Sequence, residues 1–226
     1  MKTSQDLAQR NNIIRAAVMG ANDGILSVSG IVIGVAGATV SSFAIFIAGF
    51  AGALAGTVSM AMGEYVSVHS ENDAQVQAVA SQKKALQDNY DQEFNFVKQR
   101  YMDQGISQEL ALTATTELMN QDPLGTTIKE RYGFSQDHEI SAVSAAIASM
   151  ISFPLGSLLP MLAITLLPQH IRIIATGVAV LIALGITGFL AARLSGADEQ
   201  KATIRNLMAG VFTMIITYLI GSLIGA

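Results

Sequence analysis

The chain contains no cysteine and no tryptophan, and it carries little charge. Without cysteine, disulfide bonds and thiolate metal ligands are excluded. Charged residues make up 13 % of the 226 residues and the formal net charge is −4, so the basic excess typical of a nucleic-acid-binding protein is missing. We therefore expect no nucleic-acid partner, and each of the few charges becomes more informative.

Apolar residues dominate instead. They account for 51 % of the chain, and the mean hydropathy is +0.45, a profile typical of an integral membrane protein. Several apolar runs exceed the ~20 residues that a helix needs to cross ~30 Å of hydrocarbon, and none alternates with the period of a strand. The sequence predicts an all-α integral membrane protein with five transmembrane helices, at residues 13–40, 43–68, 140–167, 171–194 and 202–224.

A polar segment between the second and third spans divides the chain into three predicted parts. Residues 1–68 hold an N-terminal tail and transmembrane helices 1 and 2, residues 69–138 form a helical insert, and residues 139–226 hold transmembrane helices 3 to 5. Capping residues predict the helices of the insert, because glycine ends helices while Ser and Asp-Pro begin them. These helices are 69–89, 90–104 before Gly105, 108–120 after Ser107, and a short one from Asp122-Pro123 to Gly133.

Positive charge is distributed unevenly between the two ends of the spans. Of the 13 Lys and Arg residues, only Arg172 lies between the third and fourth spans. All others lie before the first span or at its start, within the insert, or near the link between the fourth and fifth. Positively charged loops stay in the cytoplasm. The N-terminus and residues 69–138 are therefore predicted to be cytoplasmic and the C-terminus outside, in a protein that crosses the cell membrane several times.

One carboxylate interrupts the first span. Between residues 13 and 40 the only charged residues are Arg15 and Asp23, and Asp23 lies roughly 12 Å of helix beyond Arg15. A carboxylate in a span is costly unless it faces a partner, a cavity or an ion. The alternative is a border carboxylate that water hydrates, but the depth of Asp23 favours a functional site.

A thioether and a second carboxylate lie on the second span. Met60 and Glu64 are four residues apart and share one helix face, with Glu64 at the cytoplasmic border and Asp23 somewhat deeper than Met60. Carboxylates alone suit Mg²⁺ or Ca²⁺, whereas an added thioether favours softer ions such as Fe²⁺. Asp23, Met60 and Glu64 are thus the candidate metal ligands, although packing is the commoner role of a lone methionine.

Other residues of metal-binding type receive a structural interpretation. We expect the methionines to pack and the histidines, which have no metal-pair spacing, to be hydrated at span ends. These residues are Met19, Met62 and Met150, and His69, His138 and His170. The insert carries eleven acidic residues against six basic ones, which suits either a cation-attracting vestibule or an ordinary solvated surface.

Two motifs resemble the vacuolar iron transporter family in its bacterial form. They are Asn22-Asp23-Gly24 in the first span and residues 55–65, AGTVSMAMGEY, in the second. The resemblance covers nearly the whole chain. It implies a homodimer that exports Fe²⁺ or Mn²⁺ from the cytoplasm in exchange for protons, with no permanently bound cofactor. It also implies that the metal passes between the subunits at the positions of Asp23 and Met60.

The insert departs from the pattern of that family. Many members bind metal there through glutamates spaced E-x-x-E on two helices, with two methionines and a glutamate on a third. The matching positions here hold Gln82, Ala85, Glu93, Phe96, Thr127, Ile128 and Arg131, with Glu130 one place away. Only Glu93 keeps its carboxylate. We expect the insert to be held by apolar contacts and to bind Fe²⁺ or Mn²⁺ weakly or not at all, with Glu93 and Glu130 as the remaining contacts.

Two other classes of function compete with transport. A membrane-anchored interaction protein would dock a partner on the insert and use Asp23 only to hold helices together. An intramembrane enzyme is disfavoured, because no acid, base and nucleophile lie at one depth. Replacement of Asp23 by asparagine separates the first two classes, since packing tolerates this change and transport does not.

Overall fold

The computed structural model describes residues 2–135 and 140–225, without the side chains of residues 2–6 and 8. Two residues of the sequence analysis lie outside the described residues: His138, predicted at a span end, and Asp137, one of the eleven acidic residues of the insert. The described chain forms eight α-helices and no strand, which confirms the all-α prediction. The helices are α1 Lys2–Ala38, α2 Ser42–Asp88, α3 Tyr90–Asp103, α4 Gln108–Gln121, α5 Pro123–Tyr132, α6 Ala142–Leu166, α7 Arg172–Ser195 and α8 Glu199–Gly225.

Five of the described helices are long and apolar enough to cross a membrane, as predicted. The spanning segments are Gln9–Ala38, Ser42–Asp88, Ala142–Leu166, Arg172–Ser195 and Glu199–Gly225. The second span and the first insert helix form one continuous helix of 47 residues, α2. The protein is an all-α, multi-pass membrane protein.

Contacts divide the chain into two compact units. One comprises residues 1–6 and 68–140, which contain the insert helices, and the other comprises residues 7–67 and 141–226, which contain the spans. We describe each unit by itself.

The apolar core of the spanning unit is built around α1. Of the twelve buried residues in this cluster, five come from α1, and the others come from α2, α6, α7 and α8. They are Ile25, Val28, Val32, Ile33 and Ala36 of α1, Ile45 of α2, Phe153, Met161 and Ile164 of α6, Val180 and Leu184 of α7, and Met214 of α8. α1 therefore contributes more residues to this core than any other span, and we call it the central helix of the unit; Asp23 lies on it.

Glycines allow the backbones of α1 and its neighbours to touch. A Cβ atom added to Gly221 of α8 would overlap the carbonyl oxygen of Gly34 on α1, and one added to Gly24 of α1 would overlap the carbonyl oxygen of Phe153 on α6. Small residues four apart let helices approach closely in lipid. By contrast, nothing lies within 4 Å of a Cβ atom added to Gly63 on α2.

Arg172, the single basic residue predicted on the outer side, has a structural role. It is 3 % exposed, and its guanidinium donates hydrogen bonds to the Ser42 hydroxyl at 3.1 Å and the Val40 carbonyl at 3.2 Å. These contacts tie the start of α7 to the turn between α1 and α2. Two guanidinium nitrogens are thereby hydrogen-bonded, while the buried Nε has no partner among the described residues.

The insert helices begin and end within one residue of the predicted bounds. The Asp122 side chain accepts a hydrogen bond from the Gly125 amide at 2.8 Å, and Gly105 and Gly133 have φ angles of 91° and 78°. Ser107 occupies the N-cap of α4 but makes no capping hydrogen bond through its side chain. The Asn89 side chain, which the sequence analysis assigned to the preceding helix, caps α3 by accepting from the Gln92 amide at 3.2 Å.

Candidate metal-binding residues

Asp23 lies half-buried on α1 and accepts a hydrogen bond from Ser27 Oγ at 2.8 Å. Ser27 stands one turn further along the same face, so a local hydroxyl orients the carboxylate. No ion pair to Asp23 occurs among the described side chains. This carboxylate therefore sits on the central helix of the spanning unit without a basic partner.

The neighbouring Asn22 fixes the rotation of α1. Its Oδ1 accepts hydrogen bonds from Thr187 Oγ1 of α7 at 3.0 Å and from Asn206 Nδ2 of α8 at 2.8 Å. Because consecutive helix residues lie about 100° apart, anchoring Asn22 against α7 and α8 turns Asp23 to an adjacent face. In the sequence, Asn22 belongs to a motif but has no predicted role. The signal that could have indicated one is its polar side chain, next to Asp23 in an apolar span.

Glu64 is paired with a cation from α1. Its side chain is 8 % exposed, and its Oε2 lies 2.9 Å from Arg15 Nη2 in a salt bridge. Arg15 Nη1 also donates to Glu64 Oε1 at 3.5 Å. Sequence reasoning used Arg15 only to orient the chain and did not anticipate this pairing.

The thioether that contacts Arg15 belongs to Met19. Arg15 Nη1 lies 3.4 Å from Met19 Sδ, whereas Met60 is partly buried and packs against the apolar core. Met60 thus packs in the apolar core, and its binding of metal stays a prediction. Met19, for which the sequence predicts packing, is 47 % exposed. Its polar contact is with Arg15, which also pairs with Glu64.

Four residues follow one another at intervals of four along α1, namely Arg15, Met19, Asp23 and Ser27. This spacing puts them on one face of the helix, from the Glu64 contact toward the middle of the span. Within the described residues, no group of three or more His, Asp or Glu side chains is arranged to hold a metal ion. The chain thus presents a line of single donors rather than a closed metal cage.

In the insert, an arginine accompanies the one retained family carboxylate. Glu93 Oε2 accepts from Arg131 Nη2 at 2.7 Å and from Gln82 Nε2 at 2.5 Å, and the Glu93 side chain is 7 % exposed. The Arg131 guanidinium also stacks 4.0 Å from the centre of the Phe96 ring. The expectation of a bundle held by apolar contacts is therefore incomplete, because a satisfied polar group is buried beside the apolar residues.

The remaining positions of that pattern are also engaged in packing or hydrogen bonding. Thr127 and Ile128 are fully buried, and the Thr127 hydroxyl donates to the Pro123 carbonyl at 2.8 Å. Tyr101 donates its phenolic hydrogen to Glu130 Oε1 at 3.2 Å. Burial and the nearby Glu130 carboxylate raise the pKa of Tyr101 to about 12, so the phenol stays protonated as a donor to Glu130 near neutral pH.

Together these features define a five-span helical membrane protein with a carboxylate in its central helix. A sequence profile of the VIT family matches residues 14–222, and the chain belongs to that family.

Known relatives match along almost the whole chain. Vacuolar iron transporter homolog 2 of Arabidopsis thaliana is 30 % identical over 224 residues, which cover 99 % of this chain and 90 % of the relative. Vacuolar iron transporter homolog 3 of the same plant is 31 % identical over 222 residues, covering 98 % and 88 %. VIT-like transporter 1b of Glycine max is 30 % identical, covering 99 % and 81 %. Membership of a transporter family confirms the prediction that the chain is not an enzyme.

Proposed function

We propose that this chain transports a divalent transition metal, Fe²⁺ or Mn²⁺, out of the cytoplasm in exchange for protons, as a homodimer. The observation that carries the proposal is Asp23, a half-buried carboxylate on the central helix of the spans. It accepts a hydrogen bond from a hydroxyl and forms no ion pair with any described basic side chain. The names of the relatives, which are iron transporters, support iron as the cargo. The metal is cargo, and the proposal needs no resident cofactor.

The chemistry of Asp23 suits an exchange of metal for protons. In a medium of low dielectric constant, a carboxylate is stable either protonated or next to a cation, because the bare charge is poorly solvated. Proton and metal therefore compete for one group, and each leaves as the other arrives. The Ser27 hydroxyl, which donates at 2.8 Å, holds the carboxylate in one orientation during this exchange.

The distribution of Lys and Arg supports export as the direction. Because positively charged loops stay in the cytoplasm, this distribution predicts that the Glu64 end of the first two spans is cytoplasmic, where the cargo would arrive. Glu64 and Asp23 then lie at successive depths along the route, with Met60 as a softer donor between them.

A surface on α2 supports the homodimer. Only 11 % of the most apolar stretch of this helix is buried within the single chain. Apolar side chains of α2 are correspondingly exposed, among them Phe46, Phe50, Leu54 and Val58. In a membrane this surface faces lipid, a second copy of the chain, or both. A second copy that packs against this surface would place the proposed metal route between the two subunits.

Metal flux into proteoliposomes tests the function. Purified full-length protein is reconstituted, and uptake of Fe²⁺, Mn²⁺, Co²⁺ and Zn²⁺ is followed with the vesicle interior acidic or at the external pH. The proposal predicts that an acidic interior drives uptake of Fe²⁺ or Mn²⁺ above that of protein-free vesicles. Metal flux without pH dependence would remove proton exchange from the proposal. Absence of flux for every metal would favour the interaction protein.

A further inference from the structure

Four acceptor atoms surround the guanidinium of Arg15 at the end of the first span. They are Glu64 Oε2 at 2.9 Å, Asn12 Oδ1 at 3.0 Å, Met19 Sδ at 3.4 Å and Glu64 Oε1 at 3.5 Å. Three side chains from two helices thus converge on one positive group. A carboxylate, an amide oxygen and a thioether together are also a donor set for a divalent transition ion, with the sulfur favouring the softer ones.

We propose that Asn12, Met19 and Glu64 form a loading site for a divalent transition cation, and that Arg15 is a resident cation which the metal displaces. The proposal rests on the proposed transport function for its purpose, but the site itself is defined by the contacts of Arg15. It assigns a ligand role to Met19 and Asn12, and a gating role to Arg15.

Arg15 has room to leave. Its side chain is 48 % exposed, whereas that of Glu64 is only 8 % exposed. Arg15 also borders an open groove of about 480 Å³ between α1 and the end of α7, with Ile14, Val18 and Leu194 among its lining residues. An arginine stem can lie along such an apolar wall while its guanidinium stays in water. The acceptors would then remain in place and lack a cation.

The site leads to Asp23. Arg15, Met19 and Asp23 are successive members of one face of α1, each four residues from the last. A metal held by Glu64 and Met19 would therefore lie one turn of helix from the carboxylate of the proposed exchange. A purely structural ion pair between α1 and α2 is the competing explanation. That explanation predicts lower stability when Arg15 is replaced, but no gain in metal affinity.

Equilibrium metal binding separates the two explanations. Co²⁺ and Mn²⁺ are titrated calorimetrically into the detergent-solubilised full chain, in an Asp23→Asn background that removes the proposed exchange carboxylate. Arg15→Leu removes the charge, keeps an apolar stem and adds no metal ligand. We expect this change to raise Co²⁺ affinity roughly tenfold or more, because a like charge no longer opposes the metal.

Further variants assign the effect to this site. Added Glu64→Gln should abolish the gain, and added Met19→Leu should reduce Co²⁺ affinity more than Mn²⁺ affinity. Arg15→Lys, which keeps the charge and supports folding if Arg15→Leu does not, should bind no more tightly than the Asp23→Asn parent. An Arg15→Leu protein that is folded but binds Co²⁺ no better than that parent would overturn the proposal. So would a gain that survives Glu64→Gln. Either result leaves the transport assay of wild-type protein unaffected, so failure of the two proposals is distinguishable.

Discussion

Arg131 Nη2 lies 2.7 Å from Glu93 Oε2, at two positions of the insert where the family resemblance led us to look for metal ligands. The same carboxylate oxygen accepts from Gln82, and the guanidinium stacks on Phe96. A side-chain cation thus neutralises the Glu93 carboxylate within the insert itself.

Removing the arginine should destabilise the insert. Arg131→Met leaves the buried Glu93 carboxylate without its cation, so we expect the free energy of local unfolding to fall by about 3 kcal/mol. Adding Glu93→Gln should recover most of that loss. Hydrogen exchange of residues 90–132 in the full chain measures the effect. Lys98→Met is the matched control, because Lys98 donates to the exposed Asn95 side chain and forms no ion pair among the described residues. Equal protection in Arg131→Met and Lys98→Met would contradict the role of the pair.

The insert should contribute no tight metal site. A divalent ion near Glu93 would meet the charge of Arg131, and Glu130 is engaged with Tyr101. We therefore expect the Glu93→Gln/Glu130→Gln double variant of the full chain to bind as many Fe²⁺ or Mn²⁺ ions, as tightly, as wild-type protein in calorimetric titration. Glu109→Gln/Glu117→Gln, at two exposed carboxylates, controls for the change in net charge. Loss of two or more ions in the first variant alone would reveal a rebuilt site.

Met60 is predicted to influence the choice of metal. Met60→Leu keeps the packing against the apolar core and removes only the sulfur. If the thioether binds cargo, uptake of Fe²⁺ and Co²⁺ into proteoliposomes should fall more than uptake of Mn²⁺. Met62→Leu, at an exposed residue of the same helix, is the control. An equal loss for all three metals would mean that Met60 only shapes the route.

Close backbone contact between α1 and α8 predicts a contrast between two glycines. Gly221→Ala places a methyl group against the Gly34 carbonyl, so the helices must separate, at a cost of roughly 1–3 kcal/mol. Gly63→Ala meets no atom within 4 Å in the chain and should be neutral or stabilise α2 slightly. Thermal unfolding in detergent compares the two variants. A similar loss in both would show that the α1–α8 contact is not limiting, or that Gly63 faces a partner.

Local signals in the sequence were sufficient for the helices. Asp122 acts through its side chain, and Gly105 and Gly133 act through their own backbone geometry, so the insert helices could be predicted within a turn. Long apolar runs likewise predicted five spans, since hydrocarbon thickness fixes the length of a membrane helix.

The rotation of the spans could not be predicted in the same way. In an apolar span almost every face looks alike, so the pattern does not say which residues meet. Arg15 and Glu64 are 49 residues apart on different helices, and their pairing depends on how α1 and α2 are turned. For the same reason the sequence could not predict that Met19 Sδ contacts Arg15. Asn22, which anchors α1 against α7 and α8, is the residue whose contacts set that rotation.

The central claim is that Asp23 carries the exchanged ions, and Asp23→Asn in proteoliposomes tests it most directly. Asparagine keeps the size of the side chain and can still accept from Ser27, but it holds neither a proton nor a cation in the same way. Asp198→Asn, at an exposed carboxylate beside the start of α8, is the matched control. The account predicts that Asp23→Asn inserts and folds normally yet shows no pH-driven uptake of Fe²⁺ or Mn²⁺, while Asp198→Asn transports like wild-type protein. Full uptake by the Asp23→Asn protein would contradict it.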